Sequence, residues 1–122
     1  MDFNAYLTRI GYSGPINNSH AILKRICELH YNAVPFDVLG MHGADRIVLN
    51  LETVYKNIVI DHRGGTCYEV NRLFQWLLRN FGFQVDIIQC QWFNYGEFSP
   101  KFNHLALLVS FVFMVCNTST IN

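Results

Sequence analysis

The segment Arg63-Gly64-Gly65-Thr66-Cys67-Tyr68-Glu69-Val70-Asn71 constrains this chain more than any other. Two glycines precede a cysteine, and apolar side chains follow at Val70, Leu73, Phe74, Leu77 and Leu78. Their spacing is the helical period, so the segment predicts a turn over 61–65 and a helix that opens at Cys67 and stops at Asn80 to Gly82. A thiol in the first turn of a helix lies among backbone N–H groups that have no helical acceptor, at the positive end of the helix dipole. Both favour the thiolate, which is the nucleophilic form. Two readings of Cys67 stand at this point: a catalytic nucleophile, or a small buried hydrophobe.

Asp2 caps a short first helix that ends before Gly11, and 11–19 is rich in turn residues. A second helix starts near Ser19 or His20 with Ile22, Leu23, Ile26 and Leu29 as its apolar stripe. It ends before Pro35, because the residue preceding proline avoids helical angles. Residues 35–46 read as loop, and Asn50 caps a short third helix carrying Leu51, Val54 and Tyr55. After the Cys67 helix the period changes. Phe83, Val85, Ile87 and Gln89 alternate with Gln84, Asp86 and Ile88, as in a strand. Residues 91–103 read as a polar and aromatic loop, and His104 to Cys116 as one long strand. Helices followed by a hairpin make an α+β order.

The 122 residues suffice for one core and not for two. Apolar residues make up 51% and charged residues 15%, so part of the apolar surface is expected to face another domain. Nine basic and nine acidic side chains cancel, which argues against nucleic acid or an anionic membrane as partner. Cys27, Cys67, Cys90 and Cys116 are scattered, without a CxxC, and Met1-Asp2-Phe3-Asn4 is not the start of a signal peptide. A cytoplasmic protein with reduced thiols follows. The apolar run Leu105–Cys116 is too short to cross a bilayer as a helix.

A cysteine nucleophile works with a base, and the base with a group that orients it. His104 is the candidate for that base, although on the residues alone a strand-end histidine bonded to backbone is the stronger reading. His62 is a rival, too close in sequence to fold back onto the sulfur. Cys27 and His30, three apart on a helix, have metal-ligand spacing, but two ligands read better as a core cysteine beside a surface histidine, so no metal is expected. A redox-sensing thiol is disfavoured by the lack of a nearby resolving cysteine.

Several of these segments together resemble the arylamine N-acetyltransferases. Arg63-Gly64-Gly65 with Cys67, Glu69 and Asn71 resembles that family's active-site segment. Met1 to Tyr6 and Arg9-Ile10-Gly11-Tyr12 resemble its N-terminus. Ala33-Val34-Pro35-Phe36-Asp37 with Leu39, Met41 and His42 resembles its Val-Pro-Phe-Glu-Asn-Leu segment, and Asn103-His104-Leu105-Ala106-Leu107-Leu108-Val109 its histidine strand. The resemblance implies a helical domain over 1–82 that carries the nucleophile loop, and over 83–122 the first hairpin of an incomplete β-barrel, with a papain-like cysteine site. It implies that Cys67 takes an acetyl group from acetyl-CoA and passes it to an arylamine, arylhydrazine or N-hydroxyarylamine, with His104 as base.

The resemblance also implies an ion pair of Asp37 with Arg63 that supports the site, against a solvated surface pair of little worth. It places Phe36, Trp92 and Phe93, with Tyr95 and Phe98 nearby, at the acceptor pocket, against interdomain core. The family's aspartate after the histidine strand has no counterpart, since no acidic residue follows Glu97, and Asn117 is a weak substitute. The likeness stops after about Val109, and the tail from Ser110 diverges. The expectation is therefore a truncated transferase with impaired acetyl transfer, or else a non-catalytic fragment or isoform. Self-association through Leu105–Cys116 is expected, because that run is apolar, uncharged and strand-forming.

Overall fold

The computed structural model describes residues 1–36, 50–91, 93, 94, 96–98 and 104–111, with the side chains of Phe93, Asn94, Phe98 and His104 outside that description. Helix α1 (Phe3–Ile10) is capped by Asp2, whose carboxylate accepts from the N–H groups of Asn4 at 2.8 Å and Ala5 at 3.3 Å. It stops at Gly11, which takes the left-handed backbone (φ 77°) that closes a helix. Helix α2 (His20–Ala33) begins behind the Ser19 cap and ends one residue before extended Val34 and Pro35. Asn50 caps α3 (Leu51–Tyr55).

The chain does not turn away after Tyr55. A π-helical segment, Lys56–Ile60, continues the helix, with Asp61 N–H donating back to Lys56 O at 2.9 Å. Arg9 of α1 donates from Nε to Ile58 O, a carbonyl of this segment, at 2.9 Å. Helix α4 (Cys67–Asn80) follows, with the limits that its apolar period implied. Phe81 and left-handed Gly82 (φ 97°) then reverse the chain into β1 (Gln84–Cys90).

Strand β1 pairs antiparallel with β4 (His104–Ser110) in a register that sets Val85 opposite Val109 and Cys90 opposite His104. Val85 and Leu105 are buried against α4, with Leu107 and Val109 packed on the same core, while Asp86, Ile88 and Leu108 are exposed on the other face. The segment expected to be loop over 91–103 contains a short hairpin, β2 (Phe93–Asn94) with β3 (Glu97–Phe98), turned by left-handed Gly96. Two-residue strands are too short to show alternation, which is why the sequence reading missed them. The expected single strand from His104 to Cys116 leaves strand pairing after Ser110, and 112–116 lie outside the described residues.

Helix α4 is the centre of the core. Leu73, Leu77 and Leu78 are buried beneath Tyr6, Ile26 and Ile58 from the other helices. Each of these leucines contributes on the order of 2–5 kcal/mol against truncation to alanine. Together they fix the roll of α4, and so the direction of its first turn.

The loop ahead of α4 is tied to the end of α2. Gly65 forms a parallel bridge with Phe36, and its N–H donates to Pro35 O at 3.3 Å. Gly64 passes so close that a Cβ there would lie 2.2 Å from Pro35 O. Gly64→Ala should therefore push the loop off Pro35 and cost about 1–3 kcal/mol. Urea unfolding of the two proteins measures it, and equal midpoints would refute the contact.

One expectation is reversed inside the core. His30 was read as a surface residue and Cys27 as a core one, yet Cys27 is exposed and His30 is 4% exposed. Helix α2 buries the Ile26–His30 stripe, and Cys27 lies a hundred degrees or so around from Ile26. His30 Nε2 shares a hydrogen bond with Tyr6 Oη at 2.7 Å, and its ring stacks on Phe74 with centroids 4.0 Å apart. Burial lowers the His30 pKa from 6.5 to about 4, and the charge of Arg9 adds to this. The folded chain therefore keeps His30 neutral where the unfolded chain protonates it. Its contribution is complete above the unfolded value and is lost as pH falls toward the folded one. The loss at about pH 5 is roughly 2 kcal/mol relative to neutral pH. Urea unfolding at both pH values should show a pH dependence smaller by about that amount in His30→Gln; an unchanged dependence would contradict the buried neutral ring.

Candidate active site

Cys67 is the first residue of α4. Thr66, ahead of it, accepts from Glu69 N–H at 3.3 Å, and Glu69 Oε1 accepts from Thr66 N–H at 2.9 Å. This reciprocal pair satisfies two backbone donors at the helix start. The first helical bond runs from Val70 N–H to Thr66 O at 2.9 Å. Cys67 is half-buried among the N–H groups that precede that bond, where the reading of its sequence placed it. The capping pair itself was missed, although the Thr66-x-x-Glu69 spacing is its signature.

The approach to Cys67 is pinned on two sides. Pro35 and Phe36 hold Gly65, and Arg63 N–H donates to Asn57 O at 2.9 Å in the π-helical segment. Arg63 is exposed, and Asp37, its expected partner, lies outside the described residues. Phe36 is 56% exposed beside Gly65, an open apolar ring next to the loop. His62 is exposed in the left-handed region (φ 56°).

On the sheet side, His104 opens β4 opposite Cys90. Its backbone is placed, and its side chain lies outside the described residues. The next residue, Leu105, is buried, and its carbonyl accepts from Asn71 Nδ2 at 2.6 Å. Asn71 stands one helical turn after Cys67. Two more side chains continue the line: Gln75 Nε2 donates to Val85 O at 3.0 Å and Arg79 Nη2 to the same oxygen at 2.9 Å. Residues 71, 75 and 79 thus form one stripe along α4, each donating to a sheet carbonyl. The sequence held a signal for it, three amide or guanidinium side chains at steps of four beside the apolar stripe.

Of the aromatic residues expected at the acceptor pocket, Phe93 lies in β2 opposite Phe98 and Trp92 is outside the described residues, as is Asn117. Among the described residues no group of three or more His, Cys, Asp or Glu side chains could hold a metal, and no helix is long and apolar enough to cross a membrane.

The chain can be compared with known proteins on this geometry. The family model described as N-acetyltransferase matches residues 20–112. Human arylamine N-acetyltransferase 2 is 36% identical over 113 residues, 90% of this chain and 39% of that protein. Arylamine N-acetyltransferase 2 of Macaca mulatta is 42% identical over 89 residues, 72% of this chain and 31% of that protein. The solved arylamine N-acetyltransferase of Nocardia farcinica superposes with a TM-score of 0.82 at 32% identity, over 90% of this chain and 39% of that one. The chain thus spans 39% or less of the length of these relatives. The family model spans most of the sequence and the human relative is matched over nine-tenths of it, so the chain belongs to the arylamine N-acetyltransferase family.

Proposed function

We propose that this chain carries the acetyl-accepting half of an arylamine N-acetyltransferase site, with Cys67 as nucleophile and His104 as its base. The placement of Cys67 at the capped start of α4 carries the reading. That position sets the sulfur among N–H groups without helical acceptors, at the positive end of the helix dipole. Cys27 stands midway along α2 with its side chain exposed, and partial desolvation against the helix, then the nearby charge of Glu28, raises its thiol pKa.

In the proposed reaction His104 accepts the Cys67 proton, and the sulfur attacks the carbonyl carbon of acetyl-CoA. The carbon–sulfur bond to coenzyme A breaks, and the departing thiolate takes the proton from His104, which is neutral again. An arylamine or arylhydrazine nitrogen then attacks acetyl-Cys67, loses its proton to His104, and leaves the thiolate restored. Two half-reactions through one covalent intermediate give ping-pong kinetics. Acetyl-CoA and the acceptor are both substrates, and the setting is a cytoplasm where thiols stay reduced. Arg63 with Asp37 supports the loop, and Phe36, Trp92 and Phe93 form the aromatic wall that suits a flat acceptor. We assign the nucleophile loop to a helical unit over 1–82 and His104 to the opening strands of a barrel unit over 83–122.

Incubation with acetyl-CoA, followed by peptide mass spectrometry, tests the assignment. One acetyl group should appear on the Cys67 peptide, vanish in Cys67→Ser and discharge on addition of an aniline or hydrazine. His104→Ala should slow acetylation by roughly a hundredfold or more. Acetylation of Cys27 or Cys90 in preference to Cys67 would remove the nucleophile assignment.

We also propose that the strand segment Leu105–Cys116 mediates self-association. Among the described residues β1 and β4 pair only with each other, and Leu108, 51% exposed, stands on the face away from α4. Exposed apolar strands with unpaired edges recruit further strands. Light scattering after size exclusion should show oligomers that Leu108→Lys reduces; a monomer in both proteins would refute it.

A further inference from the structure

Asn71 lies in the segment that marks the family, yet its side chain does not belong to the capping of α4. Its amide reaches 2.6 Å to the carbonyl of Leu105, thirty-four residues away. At one end of that bond Cys67 precedes Asn71 by one turn, and residues four apart lie on the same side of a helix. At the other end Leu105 directly follows His104 on β4. One hydrogen bond therefore spans the two elements that carry the proposed nucleophile and the proposed base.

Among the described residues, Gln75 and Arg79, the other donors of the stripe, do not supply that link. Gln75 and Arg79 both bond Val85 O, at the other end of β1 from Cys90, the partner of His104. Val85, Leu107 and Val109 pack without direction against the core, which fixes the face of the sheet and not its position along the strand. Leu105 is buried, so its carbonyl would be costly to leave without a donor, and a short amide bond there is strongly specified.

We propose that Asn71 is a positioning residue of the site: its amide, bonded to Leu105 O, holds the start of β4 one turn beyond Cys67 and so sets the separation of His104 from the sulfur. The proposal rests on the Cys67–His104 reading given above. Asn71 touches neither substrate in this role. It acts through the backbone of the residue beside the base.

The test uses the whole chain and the rate of Cys67 alkylation by iodoacetamide as a function of pH, read on the Cys67 peptide by mass spectrometry. His104→Ala is expected to displace the profile to higher pH by about 1–3 units, as loss of an adjacent imidazolium does. Asn71→Leu keeps the size of the side chain and removes the donor; it should displace the profile by about half of that or more, and add little to His104→Ala in the double variant. Gln75→Ala removes a sheet bond of the same kind away from His104 and should leave the profile in place. Glu69 and Arg63 are present in every variant, so their charges cancel from the comparison. Far-ultraviolet circular dichroism checks that each variant is folded, and Asn71→Ala replaces Asn71→Leu if the leucine is not accommodated. A wild-type profile in the Asn71 variant, or an equal displacement in Gln75→Ala, overturns the positioning role while leaving the Cys67–His104 pair standing. An unmoved profile in His104→Ala removes the pair, and with it the role of Asn71.

Discussion

The reciprocal bonds between Thr66 and Glu69 satisfy two backbone N–H groups at the start of α4, and the position of the sulfur depends on them. Without that cap the first turn would fray, and Cys67 is in the first turn. A cap of this kind contributes about 1 kcal/mol, far less than the buried leucines of the same helix. The two contributions do different things. Leu73, Leu77 and Leu78 keep α4 in place, whereas Thr66 and Glu69 decide at which residue the helix begins. Gly64 and Gly65 then bring the loop against Pro35 and Phe36 at a distance that a side chain at Gly64 would forbid.

Much of the fold was legible because its signals are local. Asp2 and Asn50 each cap the helix expected of them, α2 starts at the expected Ser19–His20, Gly11 and Pro35 stop α1 and α2, and the alternation after Phe83 becomes β1. What escaped was set by distant partners. The π-helical segment at Lys56–Ile60 has a carbonyl bonded by Arg9, forty-nine residues earlier. His30 looked like a surface residue because polarity was read without its neighbours; Tyr6 and Phe74 give a neutral imidazole both a hydrogen bond and a ring to stack on. The short β2–β3 hairpin is too brief to write a period into the sequence.

The candidate site divides the same way. Cys67 was legible from glycine, cysteine and helical spacing, all within one short segment. The role of His104 came from resemblance, because partners of a nucleophile are neighbours in space and not in sequence. Asn71, Gln75 and Arg79 were not recognised as donors, since their acceptors are backbone carbonyls of strands whose register no local pattern reveals.

That stripe adds directional bonds to an apolar interface. Burying Val85 and Leu105 stabilises the docking of the sheet on α4 by roughly 1.5–3 kcal/mol per side chain, more than either neutral amide bond across it at about 1 kcal/mol. Apolar burial has a weakness, however: it is periodic. A slip of one residue would turn Ile88 and Leu108 inward and Val85 and Leu105 outward, and the exposed Asp86 makes that slip costly. A slip of two residues restores the apolar face and moves the strand by roughly 7 Å, so burial alone discriminates poorly against it. The donors of α4 do not discriminate against it by themselves, because strand carbonyls repeat with the same period of two; the turn of three residues from Asn80 to Gln84 does, since so short a connection cannot take up that displacement. Apolar side chains thus supply most of the stability of this interface, the short turn into β1 limits its register, and three polar side chains tie the strands closely to α4, which a reaction between a residue of α4 and a residue of β4 requires.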